Sequence, residues 1–305
     1  MEMYLEGVST RKVTDVTEAL CGTGFSKSTV SRLAGELDGD LAAWRDRRLD
    51  DVAYPYLVID ARYEHVRIGG QVVSQGVLIV KGVREDGHRE LLAVDVADTE
   101  SEATYDELFR RLKERGLRGV QLVTSDDHRG LVAAIQRHFQ GAAWQRCYVH
   151  FLRNAGGKVA RKHRNALMRD LKAVYAAPDA AWALELARDV VERWSTTHPA
   201  LARWIEDGIE ATLAHFSFPE AHRRKIRSTN GLERFNQEIK RRTRVVRIFP
   251  NREACLRLVT ALCVEQSEEW LSGKRYLDMG HLEPSEEAAQ RTIPATQGEE
   301  GDMAA

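Results

Sequence analysis

Apolar residues gather into short blocks in the first half of the chain, and these blocks predict β-strands. The run 56–60 (YLVID) is apolar up to its final aspartate, as expected of a strand that is buried on both faces of a sheet. Segments 71–83 and 89–97 follow after glycine-containing turns, so the three strands can form an antiparallel meander. Segments 120–126 and 143–150 predict a fourth and a fifth strand.

Helical periodicity appears between these strands and dominates the chain after them. Segment 101–115 carries apolar residues at helical spacing, and segment 130–139 predicts a shorter helix. We therefore predict an α/β fold, a mixed sheet with helices packed on its faces. Residues 151–227 are helical in texture throughout, which indicates an all-helical insertion. Helix resumes over 231–270, with an interruption near 249–251.

The two ends of the chain differ from this central part. Residues 1–50 predict a small helical segment, in which helices over 9–20 and 26–37 flank a glycine-containing turn. Such a pair is typical of a helix-turn-helix whose second helix enters a DNA groove, although a plain helical connector has the same pattern. Residues 280–305 are acidic and poor in apolar side chains, so we expect them to be disordered.

The composition of the 305-residue chain narrows the class of protein. Hydrophobic residues make up 43% and charged residues 30%, which excludes disorder throughout. The sequence contains no apolar run long enough to span a membrane and no recognisable signal peptide. Four scattered cysteines indicate a reducing cytoplasm rather than a disulfide framework.

Charge is segregated along the chain, although the formal net charge is only −1. Segment 146–169 has seven Lys or Arg and no acid, and segment 222–252 has eleven against two acids. From Glu265 onward there are ten acids against three bases. Basic runs of this density favour a polyanion such as nucleic acid as partner, although solvated helix faces are an alternative for each run.

Three acidic residues are candidates for the chemistry. Asp60 and Asp126 each end an apolar strand, where an isolated carboxylate is costly to bury. If the two strands are neighbours, a divalent cation such as Mg²⁺ would relieve the repulsion between them; alternatively, each aspartate only begins a turn. Glu233 lies in a strongly basic helix, or alternatively completes a capping box with Asn230.

Three carboxylates that hold two metal ions would support one particular reaction. One ion would activate a water or a DNA 3′-hydroxyl, and the other would stabilise the leaving oxygen of an in-line displacement. The carboxylates would then act as metal ligands rather than as general acids.

Six segments resemble the transposases of the Mutator superfamily, bacterial insertion-sequence branch, which are acidic-triad (DDE) recombinases. The resemblance implies a ribonuclease-H-like catalytic core that an all-helical insertion interrupts before the last acid. It places the triad, with two Mg²⁺ ions that Mn²⁺ can replace, at Asp60, Asp126 and Glu233. The matching segments, in the family's order, are LVIDARYEHVR (57–67), TESEATYDELFRRLKERGL (99–117), LVTSDDHRGL (122–131), WQRCYVHFLRN (144–154), STNGLERFNQEIKRRTRVVRIFPN (228–251) and EEWLSGKRYL (268–277).

The same resemblance implies a division of the chain. The first part of the core would span 51–150, the insertion 151–227 and the last core helices 228–279, with the segments 1–50 and 280–305 outside it. Within the core, Cys147 and His150 match the family's Cys-x-x-His signature. Their role stays open between packing, positioning of DNA and half of a zinc site.

The implied function is Mg²⁺-dependent strand cleavage and strand transfer at the ends of an insertion sequence. Its partners would be the terminal inverted repeats and target DNA, bound by a homo-oligomer in the cytoplasm at the nucleoid. One alternative is a truncated, catalytically inactive transposase that only binds DNA; another is a nuclease that only hydrolyses phosphodiesters. The candidate DNA contacts are Arg153, Asn236, Lys240, Arg241, Arg242 and Arg244.

Overall fold

A five-stranded mixed sheet forms the centre of the computed structural model, which describes residues 27–282. The strands are β1 (Tyr56–Ile68), β2 (Gln71–Val83), β3 (Arg89–Ala97), β4 (Leu122–Ser125) and β5 (Ala143–Arg146). Their order across the sheet is β3-β2-β1-β4-β5. The first three strands pair antiparallel, whereas β4 and β5 run parallel to β1. The predicted mixed α/β fold is confirmed, including the antiparallel meander.

Helices alternate with the later strands and then follow without further strands. The α-helices of the described residues are α1 (Lys27–Asp46), α2 (Glu102–Glu114), α3 (Arg129–His138), α4 (Tyr148–Gly157), α5 (Arg161–Val174), α6 (Ala180–Ser195), α7 (Pro199–Gly208), α8 (Glu220–Ile226), α9 (Asn230–Thr243) and α10 (Arg252–Ser272). None of the helices in residues 27–282 is long and apolar enough to cross a membrane.

Both faces of the sheet are covered, which explains the apolar runs of its strands. Alternate residues of β1 point to opposite faces. Leu57 and Ile59 join a cluster with α2 and α3, while Val58 and Val66 join a cluster with α9 and α10. The sheet is therefore held between two packed layers of helices.

A separate apolar cluster lies within the helices that follow β5. It is formed by side chains of α4 to α7 and of the short turns after them, among them Phe151, Leu171, Trp194 and Ile205. Residues 148–226 contain no strand. These helices thus bury their apolar faces mainly against one another.

The helix near the chain start is longer than the sequence predicts. The structure continues the helix predicted over 26–37 to Asp46, because its second half packs on α10. Leu41 is buried there, and Arg257 of α10 donates two hydrogen bonds to Asp38. The helix predicted over 9–20, the turn after it and the acidic segment from residue 283 lie outside the described residues.

Candidate active site

Asp60 and Asp126 lie on adjacent parallel strands. Val58 of β1 pairs with Thr124 of β4, and two residues further along each chain come Asp60 and Asp126. Asp126 follows the last residue of β4, as the sequence predicts. Asp60 does not end its strand, because β1 continues to Ile68 as one arm of a long hairpin with β2.

Asp60 is a largely buried carboxylate with one strong hydrogen-bond donor. Burial, followed by the charges of Asp126 and Glu233, raises the pKa of Asp60 to about 7, although His150 and Asn236 oppose the rise. Nδ2 of Asn236 donates a hydrogen bond of 2.8 Å to Oδ2 of Asp60. Asn236, predicted to contact DNA, is thus placed against the first acid of the triad.

A fourth carboxylate, that of Glu100, lies near Asp126 and was not singled out from the sequence. Burial raises the pKa of Asp126, and the nearby Glu100 is the next cause. Glu100 accepts a hydrogen bond of 2.9 Å from Tyr105, and Tyr63 also bonds to it. The only signal for it in the sequence was its position inside the matching segment 99–117.

Glu233 enters the site from the first turn of α9. Thr229, rather than Asn230, precedes this helix and its side chain makes no capping hydrogen bond, so the capping box is excluded. Nε2 of His150 lies 2.9 Å from Oε1 of Glu233, and a guanidinium nitrogen of Arg153 lies 3.7 Å from Oε2. The carboxylate therefore faces the site between two bases of α4.

Cys147 and His150 connect the strand edge to Glu233. The strand predicted over 143–150 ends at Arg146, Cys147 caps α4, and His150 lies in its first turn. The backbone N–H and the hydroxyl of Thr229 each donate to the Cys147 sulfur at 3.4 Å. Burial tends to raise the pKa of the Cys147 thiol, but hydrogen bonds from His150 and Thr229 lower it overall.

His150 is electrostatically tied to the acids around it. The hydrogen bond with Cys147, followed by the charges of Cys147, Glu233 and Asp60, raises the pKa of His150 against the effect of its burial. A protonated His150 would carry a positive charge directly beside Glu233. The contact between His150 and Glu233 thus joins the Cys-x-x-His segment to the same site rather than to a separate one.

The basic residues of α9 differ in how far they are available to a partner. Lys240, Arg241 and Arg244 are exposed. Arg242 is buried, and its guanidinium bonds to Glu238 and Glu265. The structure therefore places the Arg242 guanidinium in ion pairs with two partly exposed glutamates, whereas the other three basic side chains are exposed, Arg241 with a bond to Glu238.

The donors at this site fit a divalent cation by their chemistry. Carboxylates that raise one another's pKa favour a cation between them, and oxygen ligands suit Mg²⁺. Oδ1 of Asn236 is a buried acceptor without a hydrogen-bond donor, and Oε1 of Glu233, although 2.9 Å from Nε2 of His150, has no donor aligned for a hydrogen bond. In residues 27–282, however, no group of three or more Asp, Glu, His or Cys side chains stands close enough together to hold a metal ion. Asp60, Asp126 and Glu233 are close enough for the charges of the other two to raise the pKa of Asp60, but they do not form such a group.

Comparisons with known proteins identify the family of the chain. The model of the family described as "Transposase, Mutator family" matches residues 1–273. The transposase for insertion sequence element ISRM5 of Rhizobium meliloti is 49% identical over 290 residues, covering 95% of this chain and 73% of that protein. The transposase for insertion sequence element IS256 in transposon Tn4001 of Staphylococcus aureus is 37% identical, covering 91% and 72% respectively.

A solved structure titled "Drosophila P element transposase strand transfer complex" covers 92% of this chain at 12% identity, with a TM-score of 0.37. That similarity is too low to support an argument about the fold. The family match spans most of the chain, and the relatives are similar over more than nine-tenths of it. The chain therefore belongs to the Mutator family of transposases.

Proposed function

We propose that this protein is a DNA transposase that cleaves strands at the ends of an insertion sequence and transfers the resulting 3′-hydroxyl to target DNA. The observation that carries the proposal is the placement of Asp60, Asp126 and Glu233. Two of them stand on adjacent parallel strands and the third reaches the same site from α9. The transposase names of the relatives support the same function.

The three carboxylates would hold Mg²⁺, two ions in the full reaction, and Mn²⁺ could replace it. Bound there, the metal would activate the attacking oxygen and stabilise the leaving oxygen of the displacement. Asn236 fixes the orientation of Asp60 through its 2.8 Å hydrogen bond. Nε2 of His150 lies 2.9 Å and a guanidinium nitrogen of Arg153 3.7 Å from the Glu233 carboxylate, so these two side chains would position it for the metal.

The same proposal extends to the architecture. The strand order β3-β2-β1-β4-β5, with β4 and β5 parallel to β1, supports a ribonuclease-H-like core. We propose that this core spans 51–150 and 228–279, and that 151–227 is an insertion. The apolar cluster that the intervening helices form among themselves supports this division. Residues 1–50 would belong to the DNA-binding region.

DNA would approach over the exposed basic side chains of α4 and of the end of α9. Lys240 and Arg241 are exposed in the last turn of α9, Arg244 is exposed just after it, and Arg153 is exposed on α4. Lysine and arginine side chains neutralise the phosphates of DNA whatever its nucleotide sequence. Binding as a homo-oligomer to paired inverted repeats and to target DNA at the nucleoid remains part of the proposal.

Strand joining by the purified chain tests the proposal directly. The substrate is a precut oligonucleotide with a 3′-hydroxyl, offered with supercoiled plasmid and Mg²⁺ or Mn²⁺. Asp126→Ala is expected to abolish joining while DNA binding is retained. Asp51→Ala, which removes an exposed carboxylate before β1, is the matched control and should join normally.

Each of the other outcomes identifies a different function. DNA binding without joining by the unaltered chain would refute catalysis and leave an inactive DNA-binding transposase. Metal-dependent nicking without joining would indicate a nuclease. Joining that survives Asp126→Ala would show that the triad is assigned to the wrong residues.

A further inference from the structure

A cleft of about 620 Å³ is lined by Asp126. It lies between the end of β4 and the helices α4 and α7. Its volume is in the range of pockets that hold small ligands. The side chains used below are Arg146, Arg153, Lys158 and Trp204, all of which line the cleft together with Asp126.

One wall of the cleft is an aromatic surface that is already fixed in place. The Trp204 ring stacks on Phe151, with centroids 4.6 Å apart and an interplanar angle of 18°. The guanidinium of Arg146 lies 5.0 Å from the Phe151 ring and 5.4 Å from the Trp204 ring. Because Phe151 is fully buried while Trp204 is only partly buried, the indole is the part of the stack that a ligand can reach.

The Arg146 guanidinium is built into this wall. Arg146 is 6% exposed, and its recorded acidic partner is the exposed carboxylate of Asp127 at 2.8 Å. A Cβ at Gly208 would stand 2.6 Å from a guanidinium nitrogen of Arg146 and 3.3 Å from Phe151. A side chain at position 208 would therefore displace the guanidinium from its present place against the ring.

The mouth of the cleft carries positive charge that the protein does not fully neutralise. Lys158 is exposed, with its ammonium 4.9 Å from the Trp204 ring, and within residues 27–282 it has no ion pair to a carboxylate. Arg153 is also exposed, and its distance of 3.7 Å from Glu233 is too long for a hydrogen bond. A flat apolar face under two exposed cations suits a ligand that has both an aromatic ring and an anionic group.

We propose that this cleft binds one unpaired nucleotide of the DNA strand that passes through the active site. The phosphate would contact Lys158 and Arg153, and the base would lie against Trp204. In a duplex each base is covered on both faces by its neighbours, so only an unpaired nucleotide can offer a base face to the indole. The inference rests on the proposed function, because it requires a DNA strand next to Asp126.

Binding of short labelled DNA in EDTA, followed by fluorescence anisotropy, tests the cleft without catalysis. The probes are a single-stranded oligothymidylate and a duplex of the same length. Trp204→Ala is expected to weaken single-strand binding by about 5- to 100-fold, the range for loss of one base–aromatic stack, and duplex binding by less than about twofold. Trp204→Phe should retain most of the affinity for the single strand.

Two further variants keep the test independent of any folding defect at Trp204. Trp182→Ala is the matched control, because Trp182 is a 54% exposed tryptophan on α6 outside the cleft, and it should bind as the unaltered chain does. Lys158→Gln changes an exposed side chain and should reduce the salt dependence of single-strand binding by about 0.7 of a unit of slope. Far-ultraviolet circular dichroism checks that each variant is folded.

The proposal is overturned if folded Trp204→Ala binds the single strand as tightly as the unaltered chain, or loses affinity for single strand and duplex alike. Failure of the proposed function gives a different result. If the chain joins strands but its single-strand binding does not depend on Trp204, only the proposed role of the cleft is refuted. Binding that depends on Trp204 in a chain that cannot join strands would refute the catalytic proposal alone.

Discussion

Asp60 should make the metal-free protein less stable at neutral pH than an isosteric neutral side chain would. Burial and neighbouring carboxylates raise the pKa of Asp60 from 3.8 to about 7. A carboxyl group whose pKa is higher in the folded than in the unfolded state holds its proton more tightly when folded. Below the pKa of the unfolded state, ionisation of Asp60 therefore costs no stability. The cost grows as pH rises from the pKa of the unfolded state to that of the folded state, and it is complete above about pH 7. Asp60→Asn removes this cost.

The size of the effect follows from the shift. Each pKa unit corresponds to about 1.4 kcal/mol, so a shift of about three units gives a cost of about 4 kcal/mol at about pH 7.5. At about pH 5 the pH is only about one unit above the pKa of the unfolded state, so the cost is about 1.5 kcal/mol. Because the site is partly open to solvent, we expect at least about 1 kcal/mol of the resulting difference of about 2.5 kcal/mol to be measured.

Urea unfolding of the metal-free protein at the two pH values measures this difference. The gain in unfolding free energy from Asp60→Asn should be larger near neutral pH than in acid. The control Asp51→Asn changes an exposed aspartate before β1 and should show no such dependence. Mg²⁺ should then stabilise the unaltered chain near neutral pH but not Asp60→Asn, because a cation offsets the same buried charge.

Two results would refute this reasoning. One is an Asp60→Asn variant that is no more stable than the unaltered chain near neutral pH. The other is a gain that is the same at both pH values, since the stabilisation would then come from packing rather than from removal of a buried charge.

Three further predictions concern the surroundings of the site. Arg242→Ala should lower the unfolding free energy by about 1 to 2 kcal/mol, because it removes a buried guanidinium that pairs with two partly exposed glutamates. Lys240→Ala should leave stability within about 0.5 kcal/mol and reduce the salt slope of DNA binding by about one unit; equal effects of the two on DNA binding would contradict this. Gly130→Ala should cost at least about 1 kcal/mol in urea unfolding, because its Cβ would stand 2.6 Å from the backbone of α2, and an unchanged midpoint would be the contrary result. His150→Ala should reduce strand joining at least about tenfold through loss of the contact with Glu233, while His150→Gln keeps a donor and more activity; metal-free DNA binding should be the same for both.

Strand positions were the part of the fold most accessible to sequence analysis. The bounds predicted for β2 and β3 coincide with those of the structure, because continuous apolar runs between glycine turns are distinctive. The end of β1 was missed, since beyond Asp60 the strand continues as a polar hairpin arm in which only alternate residues such as Glu64 and Val66 are buried. Pairing with β2 extends β1 beyond Asp60, and no local sequence pattern predicts this extension.

The segment 143–150 shows how a tertiary contact overrides a local pattern. Its aromatic and apolar residues favour a strand, yet the chain turns into α4 at Tyr148. The backbone N–H of Cys147 donates to Ser125 at the end of β4, and that of Tyr148 donates to Arg227. Both partners are distant in sequence, so the point at which this strand ends is fixed by the assembled sheet and α8.

The sequence by itself determined the α/β order and the family, and it singled out the three acids that we propose as metal ligands. Apolar periodicity and residue type carry those features, and both are local properties. Only the tertiary structure decided which oxygens and bases meet: Asn236 on Asp60, His150 on Glu233, and Arg242 inside an ion-pair network although it resembles its exposed neighbours in sequence. Such contacts depend on angles between helices and a sheet that come together over long chain separations, and a residue's neighbours in sequence do not fix those angles.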